Sequence, residues 1–186
     1  MAIKLSNIYC ANEDIDRAKN VLEKALNRRR SEHSINFEYA EVLRKEGISS
    51  SSDLMYYYRR SFTPSDRNYE AQFWFARFAF NDTDDANKKL ALDMFQELRN
   101  SRVSHGSKVK VRAFDMEGDN KKIFKGNLIR KRQRFGFMQV DGIQTEIFFP
   151  SNNFDSDLWV AAQEGDRLTF KIGYTYTGPV CCDICL

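Results

Sequence analysis

Two aromatic runs separated by an Asp-Gly pair constrain the C-terminal part of this chain to a strand–turn–strand unit. The runs are Arg134-Phe135-Gly136-Phe137-Met138 and Glu146-Ile147-Phe148-Phe149-Pro150, and the link at 139–145 carries Asp141-Gly142. Aromatic and β-branched residues crowded between turn residues mark strands, and Asp-Gly is a strong short-range hairpin signal. Alternate residues of a strand share a face, so Phe135 and Phe137 point one way and Gly136 keeps the opposite side thin. In the second run Ile147 and Phe149 share one face and Phe148 takes the other. With Phe148 beside Phe135 and Phe137, three rings are expected on one surface. Arg130, Lys131, Arg132 and Arg134 flank it, and Lys125 lies upstream. Rings that stack bases, next to cations that hold phosphates, suit a single-stranded nucleic acid.

Charge distribution points to the same segment. Residues 1–100 carry 16 basic and 16 acidic side chains, whereas residues 106–140 carry 10 basic and 3 acidic, and residues 141–186 carry 2 basic and 7 acidic. The net charge of +3 therefore conceals a basic stretch around the first aromatic run. A solvated face is the plain alternative for such a stretch; the coincidence with the rings favours a phosphate backbone.

Ordered matches along residues 126–184 resemble a cold-shock domain, a five-stranded oligonucleotide-binding (OB) barrel. Gly126-Asn127-Leu128 stands where that family opens its first strand. Gln133-Arg134-Phe135-Gly136-Phe137-Met138 and Glu146-Ile147-Phe148-Phe149-Pro150 are similar to its two aromatic motifs. Glu164-Gly165-Asp166-Arg167-Leu168-Thr169-Phe170 and Gly178-Pro179-Val180-Cys181-Cys182-Asp183-Ile184 resemble its later strands. The resemblance implies base stacking by Phe135, Phe137 and Phe148. The chain departs from the family in having no Trp near Arg130, Arg134 in place of a Gly, and Pro150 in place of a His. Each absent stacking partner costs roughly 1–3 kcal/mol.

Residues 1–100 read as helices with an internal repeat. Ala18, Leu22 and Leu26 recur 36 residues later as Leu54, Tyr58 and Phe62, and again as Leu90, Met94 and Leu98. Tyr39, Ala40 and Leu43 recur as Phe75, Ala76 and Ala79. Helix–turn–helix units of about 34 residues are the tetratricopeptide signature, which this half resembles over two and a half to three repeats. Gly47 followed by Ser49–Asp53, Phe62-Thr63-Pro64-Ser65-Asp66 and Asn81–Asp85 supply the breaks and caps. So few repeats bury a core poorly. Either the C-terminal domain covers the open end or the chain is the tail of a longer repeat protein. The latter is expected for the N-terminal side, because the chain begins almost inside a helix. Most rings of Tyr56-Tyr57-Tyr58-Arg59-Arg60 and of the aromatic run 73–80 are expected as core between helices. Arg28-Arg29-Arg30 is expected as a helix C-terminus favoured by the dipole, with phosphate contact as the alternative.

The expected architecture is α+β in two domains: helical-hairpin repeats over 1–100, a linker at 101–106, and an OB-type barrel over 107–186. Lys108-Val109-Lys110-Val111-Arg112-Ala113-Phe114 alternates basic and apolar residues, which predicts an extra leading strand that widens the basic surface. A turn at 115–120 follows, and the barrel's first strand is expected over 121–130.

Catalytic patterns are missing from the sequence. His33 and His105 stand apart from any nucleophile motif, and there is no Gly-rich phosphate loop or zinc-type histidine pair. Cys181-Cys182-Asp183-Ile184-Cys185 leaves only Cys10 elsewhere, short of the spaced pairs of a structural zinc site. No enzyme activity, cofactor or metal is expected. Unpaired cysteine spacing and the lack of an apolar run of ~20 residues or a signal segment predict a cytoplasmic protein. The expected partners are single-stranded RNA or DNA on the barrel and a protein on the repeats. Two other readings stay open: a protein–protein scaffold with a structural barrel, and the C-terminal sensor tail of a larger prokaryotic defence or signalling protein, the latter by fold-level analogy.

Overall fold

The computed structural model describes every residue except Ser65, Phe154 and Leu186, with Cys185 described by its backbone alone. Ser65 of the expected loop and the Cys185 thiol of the terminal cysteine run thus lie outside the described residues. The chain divides between Asn100 and Ser101 into two compact units, and among the described residues no helix is long and apolar enough to cross a membrane.

The first unit is all-α. Helices α1 (Ala2–Ala11), α2 (Ile15–Arg28), α3 (His33–Glu46), α4 (Ser51–Arg59), α5 (Tyr69–Phe80) and α6 (Asp85–Asn100) pack each against the next. Their starts follow local chemistry: Asp14, Ser50 and Asn68 accept bonds from the backbone N–H of Arg17, Asp53 and Ala71, which satisfies donors that a helix start leaves open. Gly47 closes α3 at φ +77°, a backbone that glycine adopts without a Cβ penalty.

Burial follows the 36-residue repeat through two units and then slips. Ala18, Leu22 and Leu26 are buried, as are Leu54, Tyr58 and Phe62. In α6, however, Ala91, Phe95 and Leu98 face inward, and Leu90 is 49% exposed. The first two positions of the third unit are therefore displaced by one residue, to Ala91 and Phe95, while Leu98 is buried where the repeat puts it. A second repeat signal is polar. Buried Asn36 donates to the carbonyl of Arg30 (3.0 Å), and buried Gln72 donates to the carbonyl of Asp66 (3.1 Å). Both bonds reach back six residues, and the pair is offset by 36. Tyr58 is wholly buried; its hydroxyl donates to Glu41 (2.6 Å) and accepts from Arg44 (3.2 Å), whose guanidinium lies 4.1 Å from the Trp74 ring centre.

The second unit opens with a short helix, α7 (His105–Val109), capped by Ser104. The expected linker is helical at its end, and the expected leading strand over Lys108–Phe114 contracts to β1 (Ala113–Phe114). Alternation alone misread this segment. Lys108 donates to the Ser101 carbonyl (2.6 Å), and Arg112 lies 3.9 Å from the Tyr176 ring centre, so neither joins an open basic surface. A hairpin of β2 (Met116–Glu117) and β3 (Asn120–Lys121) follows, taking Lys121 out of the first barrel strand. The barrel consists of β4 (Ile123–Lys131), β5 (Phe135–Val140), β6 (Ile147–Pro150), β7 (Arg167–Thr175) and β8 (Gly178–Cys185). Strand β4 pairs with β5 and β7, β5 with β6, β6 in parallel with β8, and β8 with β7, which closes the ring. This is an OB-type barrel, with β1 added along β7 beyond its pairing with β4. Helix α8 (Ser156–Ala161) lies between β6 and β7 in the sequence. Leu128, Met138, Val140, Ile147, Phe149, Leu168 and Phe170 are among the buried side chains of its strands.

Candidate nucleic-acid interface

Strand register assembles the aromatic cluster. Phe137 on β5 faces Phe148 on β6, and Phe135 faces Pro150. The intervening Gly136, Met138, Ile147 and Phe149 are buried, so the three rings stand together on the outer face. Their centres are 5.9 Å (Phe135–Phe137), 5.9 Å (Phe135–Phe148) and 5.8 Å (Phe137–Phe148) apart. Phe135 is 37% and Phe148 38% exposed, while Phe137 between them is half-buried. The predicted trio is therefore adjacent, with Phe135 and Phe148 open to solvent and Phe137 half-buried between them.

A β-bulge brings a cation to it. On β4 Leu128 faces Met138 and Arg130 faces Phe137, so Ile129 is an extra residue in the register. Without that residue, two-residue alternation would put Arg130 on the buried side with Gly126 and Leu128. With it, Arg130 lies 4.5 Å from the Phe137 ring centre and pairs with Glu146. Gly136 makes the arrangement possible from beneath. A Cβ there would meet the Arg130 carbonyl at 2.7 Å and Leu128 Cδ1 at 3.0 Å.

The remaining predicted cations separate. Lys131, opposite Gly136, donates to the carbonyls of Ala162 (2.6 Å) and Val160 (3.3 Å), and its ammonium lies 5.1 Å from the Trp159 ring centre. It closes the C-terminal end of α8, a structural use of its charge, and so is removed from the phosphate-binding set. Arg132 and Arg134 sit in and beside the β4–β5 turn, both exposed, with the turn closed by the Arg132 N–H on the Phe135 carbonyl (2.7 Å). Lys125 is exposed on the same strand as Arg130, about 16 Å away at the usual rise per residue. Its neighbours include Asp141, whose carboxyl is held below the usual range chiefly by hydrogen bonding to Arg167.

Sequence reasoning overlooked several residues here. Arg167 pairs with Asp141 and reaches Asn127 (3.1 Å); its signal was its place in the Glu164–Phe170 motif. Glu146 was read only as the opening of an aromatic run. Trp159 is buried, edge-on to Phe149 at 5.1 Å, and donates to the Gln133 carbonyl (3.1 Å), which braces the turn that carries Arg132 and Arg134. Its signal was the Asp155 cap, which accepts from the N–H of Asp157 and Leu158.

The terminal cysteines have a different character. Cys181 and Cys182 are buried, and burial pushes both thiols up, that of Cys182 to about 11. No protein-family model matches the chain, and no curated protein matches it.

Proposed function

We propose that the outer face of β4, β5 and β6 binds a single-stranded nucleic acid, RNA or DNA, with little sequence preference. The observation that carries this is the cluster of Phe135, Phe137 and Phe148, three mutually contacting rings left open beside Arg130, Arg132 and Arg134. Two of the rings lie more than a third exposed on a charged surface, an arrangement expected of a binding patch. Bases stack on ring faces whatever their identity, and guanidinium groups donate to phosphate oxygens in forked geometry. The resemblance to cold-shock domains supports the same reading. The helical unit, by its resemblance to tetratricopeptide repeats, would dock a protein partner in the cytoplasm.

A scaffold in which the barrel is structural is favoured by one specific observation. Glu146 and Asp141 pair with Arg130 and Arg167, which offsets part of the local positive charge. Fluorescence anisotropy with a labelled oligonucleotide, titrated at several salt concentrations, separates the two. Stacking with phosphate contact predicts binding that weakens linearly on a log–log salt plot, by about 0.7 per phosphate contacted. No binding at low salt would leave the scaffold reading in place.

A further inference from the structure

Two sequence clusters not used by the barrel, Arg28–Arg30 and Tyr56–Arg60, come together in the helical unit. Arg30, just past the end of α2, and Arg60, at the end of α4, line one cleft of about 220 Å³ with Tyr56, Tyr57 and Asn27. Its floor is the buried Leu26 and Asn36. Only Tyr58 of the tyrosine run is fully buried; Tyr56 is 53% exposed. Tyr56 meets Tyr57 edge-on at 5.0 Å, and the Arg60 guanidinium lies 5.0 Å from its ring centre. The Asn36 amide holds the carbonyls of Arg30 and Glu32 (3.0 and 2.9 Å), which fixes the loop that carries Arg30.

Arginines at helix ends often do no more than complement the dipole, and magnitudes decide whether that suffices here. Two helix C-termini supply about one negative charge in all, and Asp53 and Glu23 are close enough to act on Tyr57. Of the arginines in the two clusters, Arg30 and Arg60 line the cleft, whereas the Arg59 guanidinium lies over the Phe62 ring. The lining itself holds these two cations, Arg30 and Arg60, and no carboxylate. The cleft is smaller than the ~300 Å³ at which pockets begin to enclose a whole small molecule, so a ligand seated there stays partly outside it.

We infer that this cleft is a second single-strand site, separate from the barrel face, which seats one nucleotide with its phosphate on Arg30 and Arg60 and its base on the open side of Tyr56. Guanidinium pairs match phosphate geometry, and an exposed ring beside them provides a stacking platform. The site does not rest on the barrel reading.

The test uses the full chain and a labelled single-stranded oligonucleotide, with Arg30→Ala/Arg60→Ala, Arg30→Lys/Arg60→Lys and Tyr56→Ala made both alone and in a Phe135→Ala/Phe137→Ala background. Circular dichroism checks the helices. The alanine pair is expected to lower the salt slope by about 0.7, one single-strand phosphate contact. The lysine pair is expected to keep the slope while losing several-fold in affinity, because charge stays and the fork is lost. Tyr56→Ala is expected to lose about fivefold or more with the slope unchanged. Cleft variants that bind like their parents in both backgrounds overturn the inference. So does polyglutamate that displaces the oligonucleotide from the Phe135→Ala/Phe137→Ala chain as well as an equally charged oligonucleotide does, since the cleft would then serve an acidic protein. Failure of the barrel reading looks different: the phenylalanine variant alone would bind like the wild type.

Discussion

At the scale of single residues, Gly136 and Lys131 show how the barrel face is held. Gly136→Ala would drive a methyl group into the Arg130 carbonyl, so either β4 or β5 must shift. A loss of about 1–3 kcal/mol in unfolding free energy is expected from chemical denaturation; an unchanged midpoint would mean the strands accommodate a Cβ. Lys131→Met removes the closure of α8 and is expected to cost about 1 kcal/mol while leaving the salt slope of oligonucleotide binding unaltered. A slope lowered as much as by Arg132→Ala would return Lys131 to the phosphate-binding set. Cys182 gives a pH dependence. Its thiol titrates near 11 in the fold against about 9 or below when unfolded, so above pH 9 the unfolded chain has released a proton that the folded chain keeps. Stability is then full below pH 8 and falls through pH 9–11, by roughly 1 kcal/mol at pH 10 from this group. Denaturant midpoints of the wild type and Cys182→Ala at pH 8 and pH 10 check it: the loss should shrink in the variant, and an equal loss in both would assign it elsewhere.

At the scale of elements, what was legible followed from periodicity and what was not depended on tertiary choice. Leu54, Tyr58 and Phe62 were readable as core from their spacing behind Ala18, Leu22 and Leu26. The slip in α6 was not, because Leu90 and Ala91 compete for one position and only the packed unit decides between them. The Asn36–Gln72 repeat stayed hidden because polar residues in a helix ordinarily face water. Here each instead satisfies a loop carbonyl, and Asn36→Ala or Gln72→Ala is expected to cost about 1–2 kcal/mol in urea unfolding of the helical unit. A change within 0.3 kcal/mol of zero, roughly the noise of such a measurement, would contradict the lock. The strand pair was legible from its ring spacing and Asp141-Gly142, and the rings lie where alternation put them. The bulge at Ile129 was not, since nothing in Leu128-Ile129-Arg130 signals an extra residue. Without the bulge the outward position of Arg130 could not be derived, nor the opposite fate of Lys131. The short strand β1 shows the reverse error: Lys108-Val109-Lys110-Val111-Arg112 alternates well, yet the Ser104 cap and the Tyr176 ring draw it into helix and turn.

At the scale of the whole chain, the neutral first hundred residues and the basic stretch at 106–140 divide the charge unevenly. Part of that stretch is spent inside the fold, through Lys108, Arg112 and Lys131, and part is paired, through Arg130 with Glu146. The proposed function therefore rests on ring geometry more than on net charge. The most direct measurement is oligonucleotide affinity of the wild type against Phe135→Ala/Phe137→Ala/Phe148→Ala, at low salt and with the barrel's folding verified by its thermal transition. Loss of three stacking rings is expected to weaken binding by at least a hundredfold, at roughly 1–3 kcal/mol per ring, with the salt slope nearly unchanged. A folded triple variant that binds within threefold of the wild type would show that the rings on β5 and β6 are not a base-stacking surface.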